Sequence, residues 1–183
     1  MTTTDTVRNG VPTDKLFGAV NKLSENSELA QFRFTATNAW VDGTHSVSTI
    51  SDWHGLGADQ QYAEPYELPL DHPTLGAGRG PAPQEQVLGA LAGCITGGIA
   101  TIAAARKIKL SAVESTVAGE IDVRGVLGID EAVRRGFSSI SATFVVRGDA
   151  PDEALEKLVA DSVNLSAVYD MLSATVPVNV SVA

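Results

Sequence analysis

The chain has 183 residues, of which 44% are hydrophobic and 19% are charged, and its formal net charge is −9. This length suits one domain, and the hydrophobic content is high enough to form a core, which excludes a disordered chain. The acidic balance argues against nucleic acid and anionic membrane surfaces as partners, because both repel a negatively charged protein.

The first predicted elements follow a polar N-terminus. Residues 1–12 lack the apolar stretch of a signal peptide, so we expect a flexible arm there and a single domain over residues 13–183. Thr13 is a candidate cap for a helix over residues 14–23, whose apolar residues share one face. Residues 31–41 then alternate apolar and polar side chains, which predicts a half-buried strand.

A hairpin turn at Asp42-Gly43 leads into a second predicted strand over residues 45–53 and a third over residues 60–70. The next segment, DHPTLGAGRGPAPQEQ, contains three prolines and three glycines, which is typical of a loop. Because proline ends a helix that precedes it, we expect the next helix to open at Gln84 to Glu85.

That central helix is predicted to reach about Lys107, and residues 87–105 carry no charge. This length would allow a membrane span. Ten of these 19 residues are Gly or Ala, however, and small side chains contribute little transfer free energy. We therefore expect a buried, close-packed helix and no membrane partner.

Three glycines of this helix, Gly89, Gly93 and Gly97, are four residues apart and lie on one stripe. Glycine inside a helix costs about 1 kcal/mol relative to alanine, so the stripe indicates a compensating close contact. Either another element of the same subunit or the same helix of a second copy would supply that contact.

Two strands over residues 111–123 and 137–147 are predicted to pair as a hairpin across a wide connection. A helix follows the capping segment at residues 149–153, a short helix covers residues 166–172, and VPVNVSV predicts a terminal strand. Runs of strands alternating with runs of helices favour an α+β fold over a repeating βαβ sheet.

Cys94 is the only cysteine, so no intramolecular disulfide can form and multi-cysteine zinc sites are excluded. A reducing compartment is favoured, and we expect a cytoplasmic protein. A free cysteine usually behaves as a small buried hydrophobic residue, whereas a reactive one needs a lowered pKa and access. Both interpretations of Cys94 are open from the residues alone.

The segment DHPTLGAGRGPAPQEQVLGALAGC resembles the first signature of the OsmC/Ohr family, in which GP-x-P-x-E opens a helix that carries A-L-A-x-C. The segment AVYDMLSATVPVNVSV resembles the second motif of the family. The resemblance implies an α+β, OsmC-like fold with antiparallel sheets packed on a long central helix. It also implies an intertwined homodimer with its active sites at the subunit interface.

Many members are thiol peroxidases that reduce organic hydroperoxides, and the resemblance places Cys94 at the position of the attacking cysteine. Glu85 matches the glutamate that holds a thiolate-stabilising arginine in the family. Arg79 in the preceding loop is the nearest candidate for that arginine, and Arg33 is an alternative. A solvated loop charge is the competing interpretation of Arg79.

The chain departs from the family at the second cysteine, because Ser166 stands in SAVYDML where peroxidase members have C-P-V-x-x-x-L. A serine hydroxyl cannot condense with a sulfenic acid to a disulfide. Two hypotheses follow. Cys94 is a one-cysteine hydroperoxide reductase or peroxide-reactive thiol that an external thiol or dithiol regenerates. Alternatively, the protein is non-catalytic and binds a small apolar ligand in the dimer-interface cleft.

The three histidines, His45, His54 and His72, raise a weaker alternative. A Cys-His hydrolase would need one of them beside Cys94, and the sequence indicates no such proximity. None of the histidines has metal-ligand spacing, so we expect neither a metal nor a cofactor.

Overall fold

The computed structural model describes residues 7–182 and has an α+β architecture. Two compact units divide the described chain: residues 12–86 form the first, and residues 7–11 together with residues 87–182 form the second. The predicted flexible arm lies partly within the described residues. There, strands β1 (Val7–Arg8) and β2 (Val11–Pro12) pair through a turn at Asn9-Gly10.

The first unit contains one helix, a 3-10 turn and a four-stranded antiparallel sheet, in the order α1 (Thr13–Glu25), 3-10 helix (Ser27–Ala30), β3 (Arg33–Phe34), β4 (Thr37–Asp42), β5 (His45–Gly55) and β6 (Ala58–Leu70). Strand β5 is central, because β3 and β4 pair along one of its edges and β6 pairs along the other. The β4–β5 hairpin and the β6 strand confirm the predicted elements, with the turn at Gly43 and Thr44.

The second unit is built on a long helix and an antiparallel hairpin, in the order α2 (Pro83–Ala105), β7 (Leu110–Glu120), α3 (Val123–Val126), β8 (Ser139–Gly148), α4 (Asp152–Asn164) and α5 (Ala167–Ser173). The division between the units falls within the first turn of α2. Strands β7 and β8 pair along their whole length, as predicted.

The core of the second unit lies along one face of α2. Leu91, Ile95, Ile99 and Ala103 repeat every four residues, are almost completely buried, and pack with Leu155 and Leu158 of α4. The helix is long and apolar enough to span a membrane by length and composition, but this face is occupied by the core. Side chains of β7 and β8 complete the layer.

The predicted strand over residues 31–41 is interrupted in the structure. Its two parts pair with different stretches of β5, and every residue of β4 is exposed, so the predicted half-burial is wrong for the single chain. Phe34 and Trp40 are 75% and 73% exposed. The alternation indicated a strand correctly, but no periodicity reveals whether anything covers its apolar face.

The terminal strand predicted for VPVNVSV is also wrong for the single chain, because residues 174–182 form no regular secondary structure. A strand needs a partner edge for its backbone groups. Two smaller differences concern helices. Thr13 is the first helical residue of α1 instead of its cap, and α3 occupies part of the predicted wide connection.

Candidate functional site

Cys94 lies near the middle of α2, one residue before the buried Ile95. Its position places it at the edge of the core face, and the residue is half-buried. Gly93, the preceding residue, is exposed. The thiol is therefore held by the core without being enclosed by it.

Helix α4 is fixed against α2 close to this cysteine. The buried hydroxyl of Ser162 donates a 2.6 Å hydrogen bond to the carbonyl oxygen of Ile95. This approach requires a residue without a side chain at position 98, because a Cβ there would clash with the Ser162 hydroxyl. Gly98 thus permits the contact that positions the end of α4.

The chain turns at Leu165, the C-cap of α4, and Ser166 then caps α5. The Ser166 side chain is 5% exposed, and its oxygen accepts a 3.2 Å hydrogen bond from the Tyr169 backbone N–H. Since an oxygen that accepts in this way keeps its own proton, the Ser166 hydroxyl remains able to donate.

Ser166 is one of the groups that affect the ionisation of Cys94. Burial raises the pKa of the Cys94 thiol, but the Ser166 hydroxyl and the backbone N–H groups of Val168 and Ala167 hydrogen-bond the sulfur. These three donors stabilise the thiolate, so the net effect is a pKa below the ordinary value. The structure therefore surrounds Cys94 with the features of a reactive thiol, which are partial access and hydrogen bonds to the charged form.

A groove of about 700 Å³ opens in the second unit beside this site. Leu91 and Ile95, which flank Cys94 on α2, form part of its wall, and Tyr169 and Leu172 of α5 form another part. Cys94 itself does not line the groove, but its α2 neighbours Leu91 and Ile95 do.

Glu85 and Arg79 lie in the first unit, and the structure gives each of them partners there. The Glu85 carboxylate accepts a 2.8 Å hydrogen bond from the Ala82 backbone N–H and so caps the start of α2. The resemblance implied an arginine held by a glutamate, but the ion pairs of Arg79 are with Asp42 and Asp71.

The contacts of Arg79 order the loop that precedes α2. Its guanidinium donates to both carboxylate oxygens of Asp42, at 3.1 Å for Nη1, and its backbone N–H donates to Asp71 at 3.1 Å. Asp71 is buried, and hydrogen bonds, led by the Thr44 hydroxyl, hold the pKa of its carboxyl below the ordinary range. From the sequence, Asp42 was predicted only as a turn residue, and Asp71 was not singled out.

Arg33 and the histidines are engaged elsewhere in the first unit. Arg33 lies 3.9 Å from Asp59, whose carboxylate also accepts from His54 at 2.7 Å. His45 donates to the Leu70 carbonyl oxygen, and His72 accepts backbone hydrogen bonds in its own loop. The hydrogen bonds to the Cys94 sulfur come from residues 166–168, and none comes from a histidine.

From the sequence, Cys94 was identified as a candidate site residue. Ser166 was noted only because it stands where the family has a second cysteine. In the structure, Ser166 is one of the groups that lower the pKa of Cys94. A weak signal existed, because a serine that precedes a short helical segment is a typical N-cap. The link between that cap and Cys94 depends on the contact between Gly98 and Ser162. Gly98 is distant in sequence from Ser166, and Ser162 belongs to no motif.

A family model described as OsmC-like protein matches residues 76–181, which is more than half of the chain. The match covers α2 with Cys94 and continues to the C-terminal segment. No curated protein matches the chain.

Solved structures provide a second comparison. An OsmC-like protein from Mycoplasma pneumoniae has a TM-score of 0.60 at 13% identity, covering 78% of this chain and 89% of its own. A hypothetical protein from Aquifex aeolicus VF5 has a TM-score of 0.55 at 13% identity, with coverages of 76% and 86%. An OsmC-like protein of unknown function from Vibrio cholerae scores 0.51 at 12% identity, with coverages of 75% and 92%. At these identities the likeness concerns the fold.

Proposed function

The chain belongs to the OsmC-like family, and on that premise we propose that it is a thiol-dependent hydroperoxide reductase, or peroxide-reactive protein, that uses Cys94 alone in defence against oxidative stress. The reaction class comes from the family, and the chemistry is assigned to residues of this chain.

The surroundings of Cys94 are the observation that carries the proposal. An ordinary cysteine is only a few per cent thiolate at neutral pH, and the thiolate is the nucleophile. Here the Ser166 hydroxyl and two backbone N–H groups hydrogen-bond the sulfur and lower the pKa of Cys94 in spite of burial.

In the first step, the Cys94 thiolate attacks the terminal oxygen of a hydroperoxide, R–O–O–H. A sulfur–oxygen bond forms and the O–O bond breaks, which oxidises the sulfur to a sulfenic acid. The leaving RO⁻ takes a proton from water and departs as the alcohol. The apolar groove beside Cys94 supports an organic group as R.

Regeneration requires an external thiol, because Ser166 cannot form a disulfide. A small thiol R′SH condenses with the sulfenic acid to a mixed disulfide and releases water. A second thiol then displaces the Cys94 thiolate and leaves as R′SSR′. A dithiol performs both steps. A reducing cytoplasm, the location that we propose, supplies such thiols.

Following the family pattern, Glu85 and Arg79 are proposed as further site residues, each acting separately, because Arg79 forms its ion pairs with Asp42 and Asp71 and not with Glu85. Their contacts with Ala82, Asp42 and Asp71 give them an ordering role in the loop before α2. We expect Arg79→Ala to slow oxidation of Cys94 more than Arg33→Ala, the alternative arginine. If Arg79→Ala left the rate of Cys94 oxidation unchanged, the only role of Arg79 would be to order the loop.

We propose a homodimer as the working unit. A Cβ added at Gly89, Gly93 or Gly97 would meet no atom within 4 Å, so nothing in the second unit packs closely on the stripe. We therefore propose that a second copy of the chain makes the close contact that the stripe indicates.

The direct test is rapid mixing of the reduced protein with cumene hydroperoxide and, separately, with hydrogen peroxide. A dimedone-type reagent traps the sulfenic acid for mass spectrometry, and Cys94→Ser is the control. We expect fast, stoichiometric labelling of Cys94 that is faster with the organic peroxide, and turnover when a dithiol is added.

Labelling no faster than that of a free thiol would overturn the proposal. The non-catalytic alternative, an apolar ligand in the dimer-interface cleft, would then be the better hypothesis, and the Cys94→Ser variant would retain ligand binding.

A further inference from the structure

The groove of the second unit is mostly apolar and is formed within one chain. Helices α2, α4 and α5 and strand β8 contribute to it, and its volume of about 700 Å³ lies within the usual range for small-molecule sites. Its apolar lining includes Leu91 and Ile95 of α2, Ala142 and Phe144 of β8, and Val159 of α4. We call it the β8 groove.

Arg134 lines the β8 groove and is fixed there by a backbone contact. Its Nε donates a 2.8 Å hydrogen bond to the Phe137 carbonyl oxygen. Within residues 7–182 no carboxylate forms an ion pair with Arg134, and its two Nη groups make no hydrogen bond. The outer part of the guanidinium is therefore available to an anion, which it can bind through two parallel N–H groups.

Two further polar groups face the same space. Tyr169 and Ser139 line the groove, and neither of their hydroxyls has a hydrogen-bond partner in the part of the chain that the structure describes. An apolar cavity with a few convergent polar groups is the usual form of a site that orients one ligand. The chain carries a net charge of −9, so an anion is attracted here by local groups and not by the protein as a whole.

We propose that the β8 groove binds an amphiphile with an apolar body and a single anionic group, and that Arg134 binds the anionic group. The β8 groove is also the one that the proposed function gives to the organic group of the hydroperoxide, but this inference does not depend on that reaction, because binding needs no reaction at Cys94. The apolar walls hold the body of the ligand, and the guanidinium selects for charge at one end.

The experiment uses the 183-residue chain carrying Cys94→Ser, so that its outcome is separate from peroxide chemistry. Decanoate and decan-1-ol, which differ in charge at one end, are titrated near neutral pH by calorimetry. A charge-assisted pair predicts that decanoate binds at least about tenfold more tightly than the alcohol. Equal affinities, or no binding of either, would overturn the proposal.

Two matched arginines provide the variant test. Arg134→Gln is expected to abolish the preference for decanoate, whereas Arg135→Gln, at an exposed neighbour outside the lining, is expected to retain it. Equal loss in both variants would mean a general charge effect and would contradict the role of Arg134.

Arg134→Gln also removes the bond to Phe137 and is open to misfolding, so a third variant fills the groove without touching that bond. Ala142→Trp is expected to abolish binding of both ligands while the circular dichroism spectrum stays unchanged. Retained binding in a folded Ala142→Trp protein would place the ligand elsewhere and refute the site.

Discussion

Ser166 has two hydrogen-bonding roles that a single hydroxyl can combine. Its oxygen accepts from the Tyr169 N–H at the start of α5, and its proton is donated to the Cys94 sulfur. The first role stabilises a short helix and the second stabilises a charge. Replacing this side chain therefore affects both the stability of α5 and the reactivity of the thiol.

Ser166→Ala is expected to raise the pKa of Cys94, because a donor to the charged form is lost while the burial that opposes ionisation remains. At neutral pH the thiolate fraction falls, and the pH profile of iodoacetamide alkylation moves to higher pH. Loss of the cap also lowers the free energy of unfolding by about 1 kcal/mol.

Ser173→Ala is the control for that variant. The Ser173 hydroxyl lies on the same helix and donates to the Tyr169 carbonyl oxygen, away from the sulfur. If Ser166→Ala left the pH profile of alkylation unchanged, the role of Ser166 would be contradicted. The same would hold if Ser173→Ala shifted that profile equally.

Ser166→Cys tests the same proximity through chemistry. A thiol at this position is within reach of Cys94, so the sulfenic acid formed by peroxide should condense with it to an intramolecular disulfide and water. Loss of both free thiols after one equivalent of cumene hydroperoxide, measured by mass spectrometry, is the expected result. A sulfenic acid that persists beside a free introduced thiol would refute the geometry.

At the scale of elements, the contact between α2 and α4 positions the site. Gly98 leaves room for the Ser162 hydroxyl, which bonds the Ile95 carbonyl one residue after Cys94. Helix α4 then leads directly to Ser166. The distance between thiol and donor thus depends on how closely these two helices approach.

Gly98→Ala is expected to lower the free energy of unfolding by about 1–3 kcal/mol, the usual cost of overpacking, even though alanine favours a helix. Chemical denaturation of Gly98→Ala, Ser162→Ala and the double variant forms a cycle. Because removing the hydroxyl removes the clash, the double variant should be more stable than the sum of the single effects implies. Additive effects would exclude the contact.

At the scale of the whole molecule, apolar surface remains uncovered in the single chain. Val178 and Val180 of the C-terminal segment are 81% and 90% exposed, and Trp40 of β4 is 73% exposed. Exposed apolar area of this kind marks interaction surfaces. Together with the open stripe on α2, it supports the proposed homodimer.

Gly93→Leu tests whether that stripe lies in the proposed dimer interface. A side chain at position 93 meets nothing in the described chain, so the subunit should fold with an unchanged circular dichroism spectrum. The dimer should dissociate, and light scattering after gel filtration should show the mass of one chain.

Gly18→Leu, at a glycine of α1 that also faces open space, is the matched control and should leave the dimer intact. A Gly93→Leu protein with an unchanged dimer mass would show that the stripe is not the interface.

The elements that depend on local pattern were predictable. The apolar repeat of α2, the proline-rich loop before it and the alternation in β5, β7 and β8 all lie in consecutive residues, so periodicity and turn residues locate them. The motif that contains Glu85 and Cys94 could also be recognised, because its residues are close together in sequence. It identified the family, which the match over residues 76–181 confirms.

Burial and pairing between distant segments were decided only by the tertiary structure. The exposure of β4 and the missing terminal strand depend on whether a second surface is present, and the contact of Arg79 with Asp42 joins residues far apart in sequence. The same holds for Cys94. The sequence determined that this cysteine is alone, but its hydrogen bonds come from residues 166–168, and only folding brings that segment to the sulfur.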